Sequence, residues 1–208
     1  MPIYSEKKTI YIIRHGETDF NKLNIVQGSG VDTDLNELGE NQANKFFDRY
    51  KEVPFDRIFI SALRRTKQSV KRFIEAGIPY ESLKELNEIS WGVFEGKLQT
   101  PEQRAIYWET VNKWNGGDEH AKIEEGESPN ELQRRQKIAL KRILENTADK
   151  QILICMHGRA LKSFMCLLLN KSIASMEEFP HTNLGLYQLE YRDGEFNLLK
   201  KNDASHLE

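Results

Sequence analysis

Apolar positions along this chain follow two rhythms. Three short runs are apolar almost without interruption: "TIYIIR" (residues 9–14), "DRIFIS" (56–61) and "KQILICMH" (150–157). Runs of that length predict strands buried on both faces. Elsewhere apolar residues recur at helical spacing, which predicts helices over residues 36–52, 62–76, 126–147 and 159–170. Asn36 stands as N-cap of the first of these, and Gly77 as the stop of the second. The third has the best-marked start. Ser128, Pro129 at the first helical position and Glu131 three residues after the serine form a capping box. Residues 184–200 read as two strands around an Asp193-Gly194 turn, a hairpin that closes one edge of the sheet. The pattern predicts a single α/β domain over residues 1–208. Its expected form is a three-layer sandwich with a mostly parallel central sheet, helices on both faces and a small helical flap at about 97–127.

Polar residues at the strand ends turn this scaffold into a candidate site. His15-Gly16 follows the first strand and His157-Gly158 the third, while Ser61 and Arg64-Arg65 follow the second. In open α/β sheets ligands bind at the carboxyl ends of strands, where helix N-termini offer N–H groups to anions. Two histidines and several arginines therefore converge on an anion. One His-Gly pair would signal little; two, one of them preceded by Arg14, are hard to assign to stability. His120, His181 and His206 fall in loops or the tail and receive no role, and neither does the tail "NDASHLE" itself.

Charge narrows the class of ligand. Thirty basic residues nearly balance 32 acidic ones, so no general field favours nucleic acid or an anionic membrane, and any anion site must be local. The opening "MPIYSEKKTIYII" has only a five-residue apolar stretch before Arg14 and does not read as a signal peptide. "FMCLLL" is too short to span a bilayer, so a soluble cytoplasmic protein is expected. Cys155 and Cys166 lie inside apolar runs and read as buried free thiols. The sequence has no H-x-H, H-E-x-x-H or C-x-x-C pattern, so neither a metal nor a cofactor is expected.

"RHGET" at 14–18, with Asn21 beyond it, resembles the signature of the histidine phosphatase superfamily, which includes cofactor-dependent phosphoglycerate mutases and many small phosphatases. The resemblance continues in order through "DLNELGENQA" (34–43), "SALRRTKQS" (61–69), "LNEISWGVFEG" (86–96), "GES" (126–128), "HGRALK" (157–162) and Asn183. It implies His15 as nucleophile, Arg14, Arg65 and His157 as phosphate clamp, and Glu88 as acid/base. Asn21, the Gln27-Gly28 backbone, Gly158 and Asn183 fall at substrate-binding positions. Arg65 holds the family's place in "SALRR", so Arg64 is expected to face away. Glu85 is a rival to Glu88, but only Glu88 sits in the matching "LNE" frame. Lys162 stands where relatives commonly carry arginine, a departure outside the clamp.

The chemistry accounts for these residue types. A phosphate monoester repels an anionic nucleophile, whereas a neutral imidazole nitrogen can attack phosphorus. Neighbouring guanidiniums disfavour a further positive charge on that imidazole while binding phosphate oxygens in a fork, and His157 adds one more donor. The leaving alkoxide needs a proton, which a carboxyl beside the bound phosphate can deliver, and the resulting carboxylate can then activate water.

Substrate choice is expected in the segment between Glu88 and His157, where most of the flap aromatics Tyr107, Trp108 and Trp114 read as packing on the core. The flap's four Lys/Arg against seven Asp/Glu over residues 97–127 would line a second phosphate poorly, which counts against bisphosphate substrates. The family's mutases resemble one another in carrying a longer insertion here, and this chain is shorter, which favours hydrolysis over phosphate return. The resemblance thus implies a metal-independent phosphatase that hydrolyses a small phosphorylated metabolite through a phosphohistidine. A mutase-type phosphotransferase is the alternative. A non-catalytic phosphate binder is disfavoured, because nucleophile, clamp and acid are all present. The substrate's identity and the oligomeric state stay open, a homodimer included.

Overall fold

The computed structural model describes residues 7–208; the part of the leader reading that falls on residues 1–6 lies outside them. Six strands, β1 (Lys7–Arg14), β2 (Arg57–Ile60), β3 (Tyr80–Ser82), β4 (Gln151–Met156), β5 (Leu186–Arg192) and β6 (Glu195–Asp203), form a sheet in the order β3-β2-β4-β1-β5-β6. The three pairings from β3 to β1 are parallel, and β5 and β6 are antiparallel additions. The mostly parallel α/β sheet expected from the apolar runs is what the chain forms.

Strand alternation divides the side chains between two cores, which is why the runs had to be apolar throughout. Ile10, Ile12, Ile152, Ile154 and Met156 enter one core with residues of α5 (Pro101–Asn115), α6 (Pro129–Glu145) and α7 (Gly158–Leu168). Tyr11, Ile13, Leu153, Cys155 and Ile58 enter the other, with residues of α2 (Glu37–Tyr50) and α4 (Lys71–Glu75). The two thiols are free and buried. No helix among the described residues is long and apolar enough to cross a membrane.

The capping signals work as read. Asn36 Oδ1 accepts the Gly39 N–H at 2.9 Å, and the Ser128–Glu131 box closes on both sides. Asp193 and Gly194 both adopt positive φ, 52° and 93°, as a tight hairpin turn with the twist of its strands requires. Three elements depart from the pattern. The helix predicted over 62–76 is two pieces, α3 (Arg64–Ser69) and α4, because fully buried Val70 leaves helical geometry (φ −118°, ψ 15°). Ser69 Oγ donates to the Arg65 carbonyl at 2.7 Å and accepts the Gly16 N–H at 2.9 Å, a side-chain to backbone contact of the kind that bends helices. β3 is a three-residue polar edge strand without an apolar run to betray it. One turn of helix, α1 (Asp19–Lys22), starts directly after the "RHGET" segment, whose last residue, Thr18, forms its capping box.

Register brings the strand ends together. Arg14 pairs with Met156 across β1–β4 and Ile60 with Cys155 across β2–β4; the His15 N–H donates to the Met156 carbonyl at 3.0 Å and the Ser61 N–H to the Cys155 carbonyl at 3.3 Å. His15, His157 and Ser61 are therefore neighbours on three adjacent strands. Antiparallel β5 begins where β1 ends, and the Leu184 N–H donates to the Arg14 carbonyl at 3.0 Å. That topology delivers the loop before β5 to the same place.

Candidate active site

His15 is almost wholly buried, and its Nδ1 lies 2.7 Å from the Gly16 carbonyl. A ring nitrogen facing a carbonyl must carry the proton, so the lone pair of the neutral ring is on Nε2. Burial, followed by the charges of Arg65 and Arg14, holds its pKa well below the ordinary imidazole value. The guanidiniums thus act as expected, though desolvation is the larger cause.

The two arginines are fixed by different partners. Arg65 is fully buried; its Nε donates to His157 Nδ1 at 3.2 Å and its Nη1 to the Val31 carbonyl at 2.7 Å, with Gly28 O 3.5 Å from Nη2. Burial lowers its pKa to about 10, which leaves it charged at neutrality. Arg14 Nη1 donates to the His181 carbonyl at 2.9 Å and faces His181 Nδ1 at 3.2 Å. Its buried Nε has no acceptor among the described residues. A buried cationic N–H without a partner suits a site built to receive an anion. Arg64, as expected, faces outward and pairs with Asp32 and Asp34.

His157, expected as one more phosphate donor, has a partner within the protein at each ring nitrogen. Because Nδ1 accepts from Arg65, its proton sits on Nε2, which donates to Ser61 Oγ at 2.8 Å. Ser61 Oγ in turn meets Thr66 Oγ1 at 3.0 Å, and Thr66 Oγ1 donates to the Leu63 carbonyl at 2.8 Å. Both ring nitrogens are thus engaged, Nδ1 by Arg65 and Nε2 by Ser61; offering an N–H to phosphate requires exchanging one of those partners. Burial and the Arg65 charge hold its pKa well below the ordinary value. The His15 and His157 ring centroids are 5.1 Å apart.

Glu88 caps α7 from a distant segment. Oε1 accepts the N–H groups of Ile89 (2.9 Å) and Ala160 (2.7 Å), and Oε2 that of Arg159 (3.0 Å). The helix N-terminus is therefore occupied by this carboxylate and offers those two N–H groups to no anion, contrary to the sequence expectation. The Glu88 segment is itself held by Arg135 of α6, whose guanidinium donates to the carbonyls of Glu85, Asn87 and Glu88 at 2.8–2.9 Å and grips the Glu127 carboxylate at 2.7 and 2.8 Å. Glu85 lines a separate cleft with Arg135 and Glu127 and does not join the clamp.

Asn183 Nδ2 donates to the His15 carbonyl at 2.9 Å and lies 3.4 Å from Asn21 Oδ1. Gln27 is tied to Thr18 and Thr33. Arg14, Asn21, Gln27 and Asn183 open on a cleft of about 690 Å³. Gly28 sits behind Arg65, where a Cβ would fall 1.9 Å from Glu95 Oε1. At Gly158 a Cβ would approach His181 to 3.2 Å and Arg14 Nε to 3.5 Å, so glycine lets these groups close over the start of α7.

Sequence reasoning left His181 as a loop histidine. It does lie in a loop, but it orients Arg14, and burial together with the Arg14 charge lowers its pKa to about 3. No motif marks it. Lys162 and Arg159, both buried, share Glu177. The acidic excess of the flap also proves a poor guide, because no flap carboxylate lines the cleft; Gln99, Arg104, Tyr107 and Trp108 do. Among the described residues no group of three His, Cys, Asp or Glu is placed to hold a metal ion.

The profile of the histidine phosphatase superfamily (branch 1) matches residues 10–204. A probable phosphoglycerate mutase of Yersinia pestis (strain Pestoides F) is 33% identical over 188 residues, 88% of this chain and 85% of the mutase. The structure resembles a putative α-ribazole-5′-P phosphatase of Escherichia coli with a TM-score of 0.83 at 23% identity, over 95% of this chain and 97% of that one. It resembles Bacillus stearothermophilus YhfR with a TM-score of 0.83 at 26% identity, over 97% and 100% of the two chains.

Proposed function

The chain belongs to the histidine phosphatase superfamily, and from that premise we propose a phosphoric monoester hydrolase that needs no metal and hydrolyses a small phosphorylated metabolite through a phosphohistidine. The observation that carries this reading is His15: a buried imidazole, proton pinned on Nδ1, held neutral beside two guanidiniums. His15 Nε2 attacks phosphorus and the P–O bond to the leaving group breaks. The departing oxygen takes a proton from the Glu88 carboxyl, and Arg14 and Arg65 neutralise the phosphoryl oxygens. Water then attacks the phosphohistidine, its proton passes to the Glu88 carboxylate, and phosphate leaves with His15 restored. Asn21, Gln27, Gly158 and Asn183 shape the approach.

Rapid mixing with ³²P-labelled substrate tests this. Label should be trapped on His15 as an acid-labile, alkali-stable adduct, and His15→Ala should lose both label and turnover. Label retained by the alanine variant overturns the assignment. Activity should survive exhaustive chelation, and vanadate, which adopts the five-coordinate geometry of the transition state, should inhibit strongly. Restoration of lost activity by zinc or magnesium would instead show that arginine neutralisation is insufficient.

One comparison favours a second reading, a mutase, since the 33% identical relative bears that name. Product analysis separates the two. A hydrolase releases inorganic phosphate from phosphoglycerate, whereas a mutase charged with bisphosphoglycerate returns an isomerised ester.

A further inference from the structure

The cleft that opens on Arg14 has a second wall whose composition the phosphate chemistry does not explain. Four aromatic rings run in contact from the core to the cleft. Trp114, fully buried with its Nε1 donating to the Ala121 carbonyl at 2.8 Å, lies 5.5 Å from Trp91. Trp91 lies 4.8 Å from Tyr107, and Tyr107 meets Trp108 edge-to-face at 5.2 Å and 86°. Trp91, Tyr107 and Trp108 all line the same cleft as Arg14, Asn21 and Asn183.

The last ring is unlike the others. Trp108 is 54% exposed, against 6% for Trp91 and 0% for Trp114, so it is the flap aromatic whose face is not spent on the core. The rings behind it are held: Tyr107 OH accepts an N–H of Arg159 at 3.1 Å, and Trp91 is clamped between Tyr107 and Trp114. A half-exposed indole set against packed rings is a platform for a flat ring. Arg104 lines the cleft one helical turn before Trp108 and has no carboxylate partner among the described residues. Its guanidinium can cover the other face of such a ring. A small, fully polar leaving group would fill little of about 690 Å³ and leave this wall wet.

We infer that the preferred substrate is a phosphomonoester whose leaving group carries a flat aromatic ring, seated against Trp108 with its phosphate on Arg14 and Arg65. This rests on the phosphatase reading and extends it to a substrate class. The occupant is argued from continuity, because Arg14 of the clamp and the rings line one cleft, so the ring is joined to the phosphate it accompanies.

The test compares 2-(1-naphthyl)ethyl phosphate with ethyl phosphate. Both leave as primary alkoxides, so a rate difference reports the ring and not leaving-group acidity. The ring should raise kcat/KM by about ten-fold or more, chiefly through KM. Trp108→Ala should erase most of that ratio and Trp108→Phe should keep most of it. The non-hydrolysable 2-(1-naphthyl)ethylphosphonate should quench tryptophan fluorescence in the wild type, an effect Trp108→Phe should largely remove. Equal kcat/KM for the two esters in the wild type sinks the inference and leaves the phosphatase reading standing. No turnover of either ester, and no label on His15, overturns the phosphatase reading itself. If Trp108→Ala dissociates a dimer in sedimentation and leaves the ester ratio unchanged, the ring faces a second copy and the inference fails.

Discussion

His15 and His157 occupy the same position, one residue past the end of a parallel strand, yet their hydrogen bonds separate their roles. His15 gives its Nδ1 proton to its own chain and keeps a lone pair, whereas His157 spends both nitrogens on Arg65 and Ser61. Glu88 is also more committed than a free acid would be. Replacing it with Gln keeps an oxygen for two of the three backbone N–H donors but turns an NH₂ toward the third. Glu88→Gln should therefore lose about 1–3 kcal/mol of stability in urea denaturation, which must be measured beside its kinetics. In the single-turnover burst, phosphorylation of His15 by an alkyl ester should fall by about 10²–10⁴-fold. With p-nitrophenyl phosphate the loss should be clearly smaller, since that phenolate leaves without a proton. Equal losses for both esters would assign Glu88 to positioning alone.

Helix α6 reaches the site without touching it. Its start is set locally by Ser128, and Ser128→Ala should cost about 1 kcal/mol in denaturation. Two turns further along, Arg135 ties three successive-segment carbonyls and Glu127 into one unit behind Glu88. A lysine cannot reproduce that fork. Arg135→Lys should lower kcat for alkyl esters by about ten-fold or more and raise sensitivity to leaving-group acidity in the same sense as Glu88→Gln, with a smaller change in KM. A uniform loss for alkyl and aryl esters would mean that Arg135 only stabilises the fold.

Four histidines held neutral by burial give the molecule as a whole a pH dependence. His15, His157, His181 and His206 all have folded pKa values below the ordinary imidazole value. Below pH ~6.5 the unfolded chain binds protons that the folded chain refuses, so this stability is complete above ~6.5 and drains away as pH falls. Each histidine contributes a slope of up to about 1.4 kcal/mol per pH unit; for His181 the loss continues down to its folded pKa of about 3. Urea midpoints should therefore decline between pH 7 and 5, a window above the one where Glu177 and Asp203, whose pKa values are lowered, lose their contribution. His181→Asn should flatten that slope. A midpoint that stays level over this range would contradict the buried neutral histidines.

Local patterns alone were enough for the apolar strands, the Asn36 and Ser128 caps and the Asp193-Gly194 turn, because each depends on spacing or on contacts a few residues away. The in-order motifs likewise carried the family and singled out Arg65 over Arg64, which the structure separates by burial. Contacts between distant segments decided the rest. His181 joins Arg14 only because β5 runs antiparallel to β1, and the three-residue β3 exists only because β2 offers it an edge. Glu88 meets the N-terminus of α7, and Arg135 meets Glu88's segment, across 72 and 47 residues of chain. Which flap side chains face the cleft was likewise unreadable from composition: a count of charges has no direction, and the fold set Trp108 and none of the flap carboxylates along the cleft.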